Sequence, residues 1–143
     1  MQKLLIPFVA AAVLAGCGGK SESEKKKEAS GRGAVTCDGS ATSKPTNLPA
    51  GFPAVDGATY VSVKDSGPTY VVDGYVGKGL EELYDQLESD FGTAGYTILF
   101  KEREEDDAEI SYKTKDGAKE GQVALRSCDE DKTSIHVTAR PAG

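Results

Sequence analysis

From residue 58 onward the apolar positions of the chain follow two rhythms. Residues 58–64 and 69–76 are rich in valine, tyrosine and threonine and flank the run Asp65-Ser66-Gly67-Pro68. β-Branched and aromatic residues suit a pleated, half-buried surface, and the turn-forming residues between them predict a hairpin. In residues 80–91 the period changes: Leu80, Leu83, Tyr84, Leu87 and Phe91 recur at helical spacing, while Glu81, Glu82, Asp85, Glu88 and Asp90 take the opposite side. This predicts one amphipathic helix. Its acidic first turn suits the positive end of the helix dipole, and Gly92 or Gly95 can end it. Period two then returns in four sets, namely Tyr96, Ile98 and Phe100, then Ala108, Ile110 and Tyr112, then Val123 and Leu125, then Ile135 and Val137. Turns fall at the charged residues 103–107, at Asp116-Gly117 and at residues 129–132. The order β-β-α-β-β-β-β predicts an α+β domain in which the helix covers one face of an antiparallel sheet and the other face stays partly open. Ahead of the strands, Leu48-Pro49-Ala50-Gly51-Phe52-Pro53 reads as an extended arm whose Leu48 and Phe52 tuck against the core.

The amino terminus has a different character. A short positive start, Met1-Gln2-Lys3, leads into the apolar residues 4–14, which Pro7 alone interrupts. This run is too short for a bilayer span of about 20 residues but has the proportions of a signal-peptide core. Leu14-Ala15-Gly16-Cys17 resembles the bacterial lipobox at all four positions: an aliphatic residue, two small residues and cysteine. The resemblance implies diacylglycerol transfer to the Cys17 sulfur and cleavage between Gly16 and Cys17. Two acyl chains, at about 0.8 kcal/mol per buried CH2, hold a protein on a membrane stably where one does not. Gly18, rather than aspartate, follows the cysteine, which leaves both the cell membrane and an outer membrane open as destinations. Residues 18–33, GGKSESEKKKEASGRG, contain no aliphatic side chain larger than alanine, so they read as a flexible charged tether with a reach of roughly 20–25 Å. The expected organisation is a signal peptide at 1–16, a lipidated cysteine and linker at 17–33, and a single extracytoplasmic domain at 34–143.

Charge sharpens this division. The whole chain carries -6, yet residues 34–143 hold 11 basic and 20 acidic groups, a net -9, while the linker is mildly basic. Such a field repels nucleic acid and anionic headgroups, so no nucleic-acid partner is expected and the domain should stand off an acidic bilayer. With Cys17 assigned to lipid, Cys37 and Cys128 remain as an even pair, for which a disulfide is the default outside the cytoplasm. Two thiols and the lone His136 lack the spacing of a zinc site, so no metal and no cofactor are expected.

Two further resemblances bear on function. The run from Leu48 to Ala58, the helix ending before Ala94-Gly95-Tyr96 and the segment Gly121-Gln122-Val123-Ala124-Leu125 resemble small extracytoplasmic lipoproteins of bacteria, which implies the architecture and no activity. Ser66-Gly67-Pro68-Thr69-Tyr70 resembles the Ser-Gly-x-x-Tyr pattern of bacterial lipoprotein inhibitors of lysozyme, as does Thr36-Cys37-Asp38-Gly39 their cysteine segment. That match implies an inhibitor loop at Ser66, Gly67 and Tyr70, with an acidic surface suited to a basic enzyme. The amphipathic helix departs from that all-β family.

Other groupings have plainer readings. Gly74, Gly77 and Gly79 around Lys78 lack any Walker or dinucleotide spacing, and Glu81 and Glu82 would repel a phosphate there. Glu102, Glu104, Glu105, Asp106, Asp107 and Glu109 lack the ligand alternation of a calcium loop and read as a solvated turn. His136, between the apolar Ile135 and Val137, belongs on the polar side of its strand and has no cysteine or serine partner in the pattern. Paired carboxylates are the one remaining route to catalysis, as in glycoside hydrolysis. The sequence therefore points to a membrane-anchored lipoprotein with a non-catalytic binding or scaffold domain, whose partners are the membrane through Cys17 and a protein or cell-wall ligand. The alternatives are an inhibitor of lysozyme or another cell-wall hydrolase, and a hydrolase using paired carboxylates.

Overall fold

A computed structural model describes residues 36–143. The expected signal peptide, lipidation at Cys17 and linker to residue 33 fall outside these residues. The elements are β1 (Thr59–Ser66), β2 (Thr69–Val76), α1 (Leu80–Thr93), β3 (Thr97–Arg103), β4 (Asp107–Lys113), β5 (Lys119–Asp129) and β6 (Lys132–Pro141). Element order and class are those expected: one helix packs on a six-stranded antiparallel sheet.

The strand order is β1-β2-β6-β5-β4-β3. The last strand thus inserts at the centre, between β2 and β5. Every neighbouring pair is antiparallel, so β2 and β3 run in the same direction although three strands separate them. α1 makes that crossing over a single face of the sheet. Its apolar stripe, Leu80, Leu83, Tyr84, Leu87 and Phe91, is wholly buried. Against it lie the alternate residues Val72, Ile110, Tyr112, Val123, Leu125, Ile135 and Val137, as the period of two requires. The helix ends in a Schellman arrangement: Tyr96 N–H donates to Phe91 O, Gly95 N–H to Gly92 O, and Gly95 adopts φ +78°, where a Cβ would be strained.

Residues 36–58 form an arm ahead of the sheet, and within it Leu48 and Phe52 pack against the core as expected; the segment Leu48–Pro53 is not extended throughout, because Phe52 N–H donates to Pro49 O at 3.0 Å with Gly51 at φ +73°, which closes a turn. Phe52 enters the core and meets Phe91 at 5.5 Å, Tyr112 at 5.5 Å and Tyr96 at 6.4 Å between ring centroids, all edge-on. Tyr96 Oη donates to Ala50 O at 3.0 Å, which fixes the arm against the start of β3. Tyr112 lies flat over Gly121, with its hydroxyl donating to Thr138 O at 2.8 Å. Burial raises the phenol pKa of Tyr112, Tyr96 and Tyr60. Cys37 and Cys128 are joined in a disulfide with a Cα separation of 6.3 Å.

One expected face assignment is overturned. Tyr96, Ile98 and Phe100 do not share a face, because a bulge between Ile98 and Phe100 adds a residue to β3 and so inverts the alternation beyond it. Phe100 therefore pairs with Ser111 on the uncovered face, while Lys101 and Arg103 turn toward the helix. There Lys101 pairs with Glu88, and Arg103 reaches Asp85 at 3.1 Å and lies 5.4 Å from the centre of the Tyr84 ring. At the edge strand the bulge exchanges an apolar contact for ion pairs with the acidic side of α1.

Candidate functional site

No helix or strand packs on the sheet face away from α1 among the described residues, and the arm meets it at Tyr75, whose hydroxyl donates to Gly39 O. Its composition follows from alternation, since most of the residues that alternate with the core positions are polar, with Val71, Ala124 and Phe100 as apolar members. The strand order then aligns them in rows. The central row reads Ser62, Asp73, His136, Ala124, Glu109 and Glu102, from β1 across to β3, each residue in register with the next. A second row runs Lys64, Val71, Thr138, Gln122, Ser111 and Phe100, and a third Tyr75, Ser134, Arg126 and Asp107.

In the central row His136 Nδ1 lies 2.6 Å from Asp73 Oδ1. The two groups are within hydrogen-bond reach, and this contact orients the imidazole and turns Nε2 away from Asp73. Both side chains are largely buried, at 27% and 14% exposure, which holds the imidazole in one orientation. The next position is Ala124, whose methyl leaves a gap between His136 and Glu109. A recess of about 360 Å³ opens there, lined by Glu102, Asp107, Glu109, Gln122, Arg126 and His136 among others. Arg126 reaches Asp107 at 3.7 Å. Glu102 and Glu109, directly opposed on adjacent strands, are like charges that cost the sheet stability. A second recess of about 530 Å³ shares Gln122 and continues past Ser111 and Thr138 to Leu99 and Arg140. Leu99 and Phe100, at 55% and 49% exposure, are the exposed large apolar side chains of the described residues, and both stand at this end of the face.

Chemically the face offers hydrogen-bond donors and acceptors of every kind beside one exposed aromatic ring. Three carboxylates do line the first recess. The position beside His136 that a nucleophile would occupy is Ala124, which has no reactive group, and Ser62 lies on the far side of Asp73. Among the described residues no group of three or more His, Cys, Asp or Glu side chains is placed to hold a metal ion. No helix of the described residues is long and apolar enough to cross a membrane.

The inhibitor-type motif is not brought onto one surface. Ser66 and Gly67 sit exposed at the β1–β2 turn, with Gly67 at φ +61°. Tyr70 points the other way: it is 6% exposed and its hydroxyl accepts from Thr46 N–H at 3.1 Å. The glycines near Lys78 are equally structural. Gly74 lies where a Cβ would come within 2.6 Å of Thr59 O, and Lys78 Nζ donates to Gln86 Oε1 at 2.6 Å. The acidic run at 102–109 forms the β3–β4 turn, closed by Glu104 N–H donating to Asp107 O at 2.7 Å.

Sequence reasoning placed His136 on the polar side of its strand but found none of its neighbours. Asp73 and His136 are 63 positions apart, and only the central insertion of β6 makes them adjacent. Comparison of the chain with protein-family models, with curated proteins and with solved structures matches none of them.

Proposed function

We propose that this chain is a lipid-anchored protein of the bacterial envelope whose domain is a non-catalytic binding module, engaging its ligand through the face opposite α1. The observation that carries the reading is a sheet face six strands wide that no helix or strand covers among the described residues, with Phe100 and Leu99 exposed at one end and an ordered polar row through its centre. A face of this kind binds by many directional contacts around a small apolar anchor. The lipobox at Leu14-Ala15-Gly16-Cys17 supports membrane attachment, and the Cys37–Cys128 disulfide supports an oxidising compartment.

Two measurements test this separately. Mass spectrometry of the membrane-extracted protein should find a chain beginning at a diacylated Cys17; an unmodified Cys17 refutes the anchor. For the face, a photo-crosslinking residue at Ser111 on intact cells should capture one species reproducibly, and the same probe at Gln86 on the helix should not. Equal capture from both positions, or capture unaffected by Cys17→Ser, would refute binding by this face of an anchored module.

A further inference from the structure

The arm is unevenly held. From residue 38 to residue 44 every residue is exposed, and burial begins only at Pro49, followed by Pro53 and Val55. Over its first ten residues three features secure the arm to the domain. The disulfide joins Cys37 to Cys128, Tyr75 Oη donates to Gly39 O at 3.2 Å, and Thr42 N–H donates to Tyr60 O at 2.7 Å. The last of these caps the outer edge of β1 beside its own bulge, between Tyr60 and Ser62. Cys128 itself is exposed, at the end of β5.

We propose that the Cys37–Cys128 disulfide is a redox latch that holds residues 37–45 over the edge of β1, and that a dithiol reductant releases this strap while the rest of the domain, from Thr46 onward, stays folded. A segment with no fully buried residue and, between Cys37 and Thr46, two hydrogen bonds to the sheet belongs at the low end of local stability. The core anchors of the arm, Leu48, Phe52 and Val55, lie beyond it. In the exchange, a reductant thiolate attacks Cys128 Sγ, the bond to Cys37 breaks, and Cys37 leaves as a thiolate that takes up a proton. The reductant's second thiol then displaces Cys128 from the mixed disulfide. The protein gains two electrons and two protons, and the reductant becomes a disulfide.

Release has two consequences. The edge of β1 loses the donor that covers Tyr60 O and becomes open to pairing by another strand. The chain between the lipid and the first fixed point among the described residues also lengthens, from the 20 residues separating Cys17 and Cys37 to the 29 separating Cys17 and Thr46. Its full extension rises from roughly 70 Å to roughly 100 Å. This second consequence rests on the anchoring proposed above, whereas the latch does not.

The test is hydrogen exchange on the full-length protein in detergent, oxidised, reduced with dithiothreitol, and as the Cys37→Ser/Cys128→Ser double variant. On reduction and in the variant, the Thr42 amide should exchange at least about tenfold faster, while Val72 and Val137 at the sheet centre keep their protection. Unchanged protection at Thr42 overturns the latch. Loss of protection at Val72 and Val137 in step with Thr42 also overturns it, since the disulfide would then staple the whole domain. Failure of millimolar dithiothreitol to open the bond in the folded protein refutes it as well. Each outcome stands whether or not Cys17 proves lipidated.

Discussion

Replacing Gly121 with alanine should be among the most damaging single-methyl changes in this domain. Gly121 is in register with Tyr112 on β4 and Ala139 on β6, and the Tyr112 ring lies across it. A Cβ built on Gly121 would stand 1.9 Å from Thr138 O, 2.6 Å from Tyr112 Oη and 2.8 Å from Tyr112 Cζ, where real Cβ contacts essentially never fall below 3.0 Å. Relieving the first contact requires β5 and β6 to separate locally by about 1.1 Å, and relieving the others requires the ring to lift. Overpacking of this kind costs about 1–3 kcal/mol. Losing the bond from Tyr112 Oη to Thr138 O adds about 0.5–1.5 kcal/mol. The total, about 2–4 kcal/mol, is a large share of a stability on the order of 5–15 kcal/mol, and should lower the melting temperature by on the order of 10–20 °C. Urea denaturation of wild type, Gly121→Ala, Tyr112→Phe and the double variant measures it. Since the tightest contact is to backbone, Gly121→Ala should cost nearly as much with phenylalanine at position 112. A cost under about 0.5 kcal/mol, or one that disappears in the phenylalanine background, would refute the argument.

Three other outcomes are expected. Burial holds the phenols of Tyr112, Tyr96 and Tyr60 above their ordinary value of 10.0, so the unfolded chain ionises first. The stability they contribute is complete below about pH 10 and is lost as pH rises through the folded values, and Tyr112→Phe should flatten the fall of the urea midpoint between pH 10 and 12. Asp73→Ala should cost about 0.5–1.5 kcal/mol at pH 7 through the lost bond to His136, seen in the same denaturation assay. Phe100→Ser should leave stability within about 0.5 kcal/mol, since the ring is half exposed, yet abolish photo-capture from Ser111; retained capture would exclude Phe100 as the anchor of the face.

Local patterning carried a large part of the fold. The helix was legible because five apolar residues at helical spacing face five carboxylates, and burial of that stripe over the sheet follows without knowledge of topology. The alternation in β4, β5 and β6 likewise shows which residues face inward. β3 departs from this: the alternation of Tyr96, Ile98 and Phe100 continues through a bulge that the sequence does not mark. Leu99 and Phe100 are both apolar, so either register satisfies hydrophobic patterning. What decides between them is the acidic side of α1, which receives Lys101 and Arg103 once the phase is inverted, and that pairing becomes visible only when helix and strand are known to be neighbours.

The candidate site lay deeper for a related reason. Alternation assigns a residue to a face, but only strand order assigns its neighbours, and here the last strand takes the centre of the sheet. His136 thereby gains Asp73 on one side and the small Ala124 on the other, so the imidazole is oriented on one flank and open on the next. Had β6 paired at an edge, the same residues would give a histidine beside solvent and a carboxylate row with no recess between them. The insertion that closes the core over Ile135 and Val137 is therefore the same event that builds the polar row, because inward and outward residues of one strand cannot be placed independently. A substitution in the core that shifted β6 by one residue would move its side chains to the opposite faces, so the integrity of the face depends on packing beneath it as much as on the residues that line it.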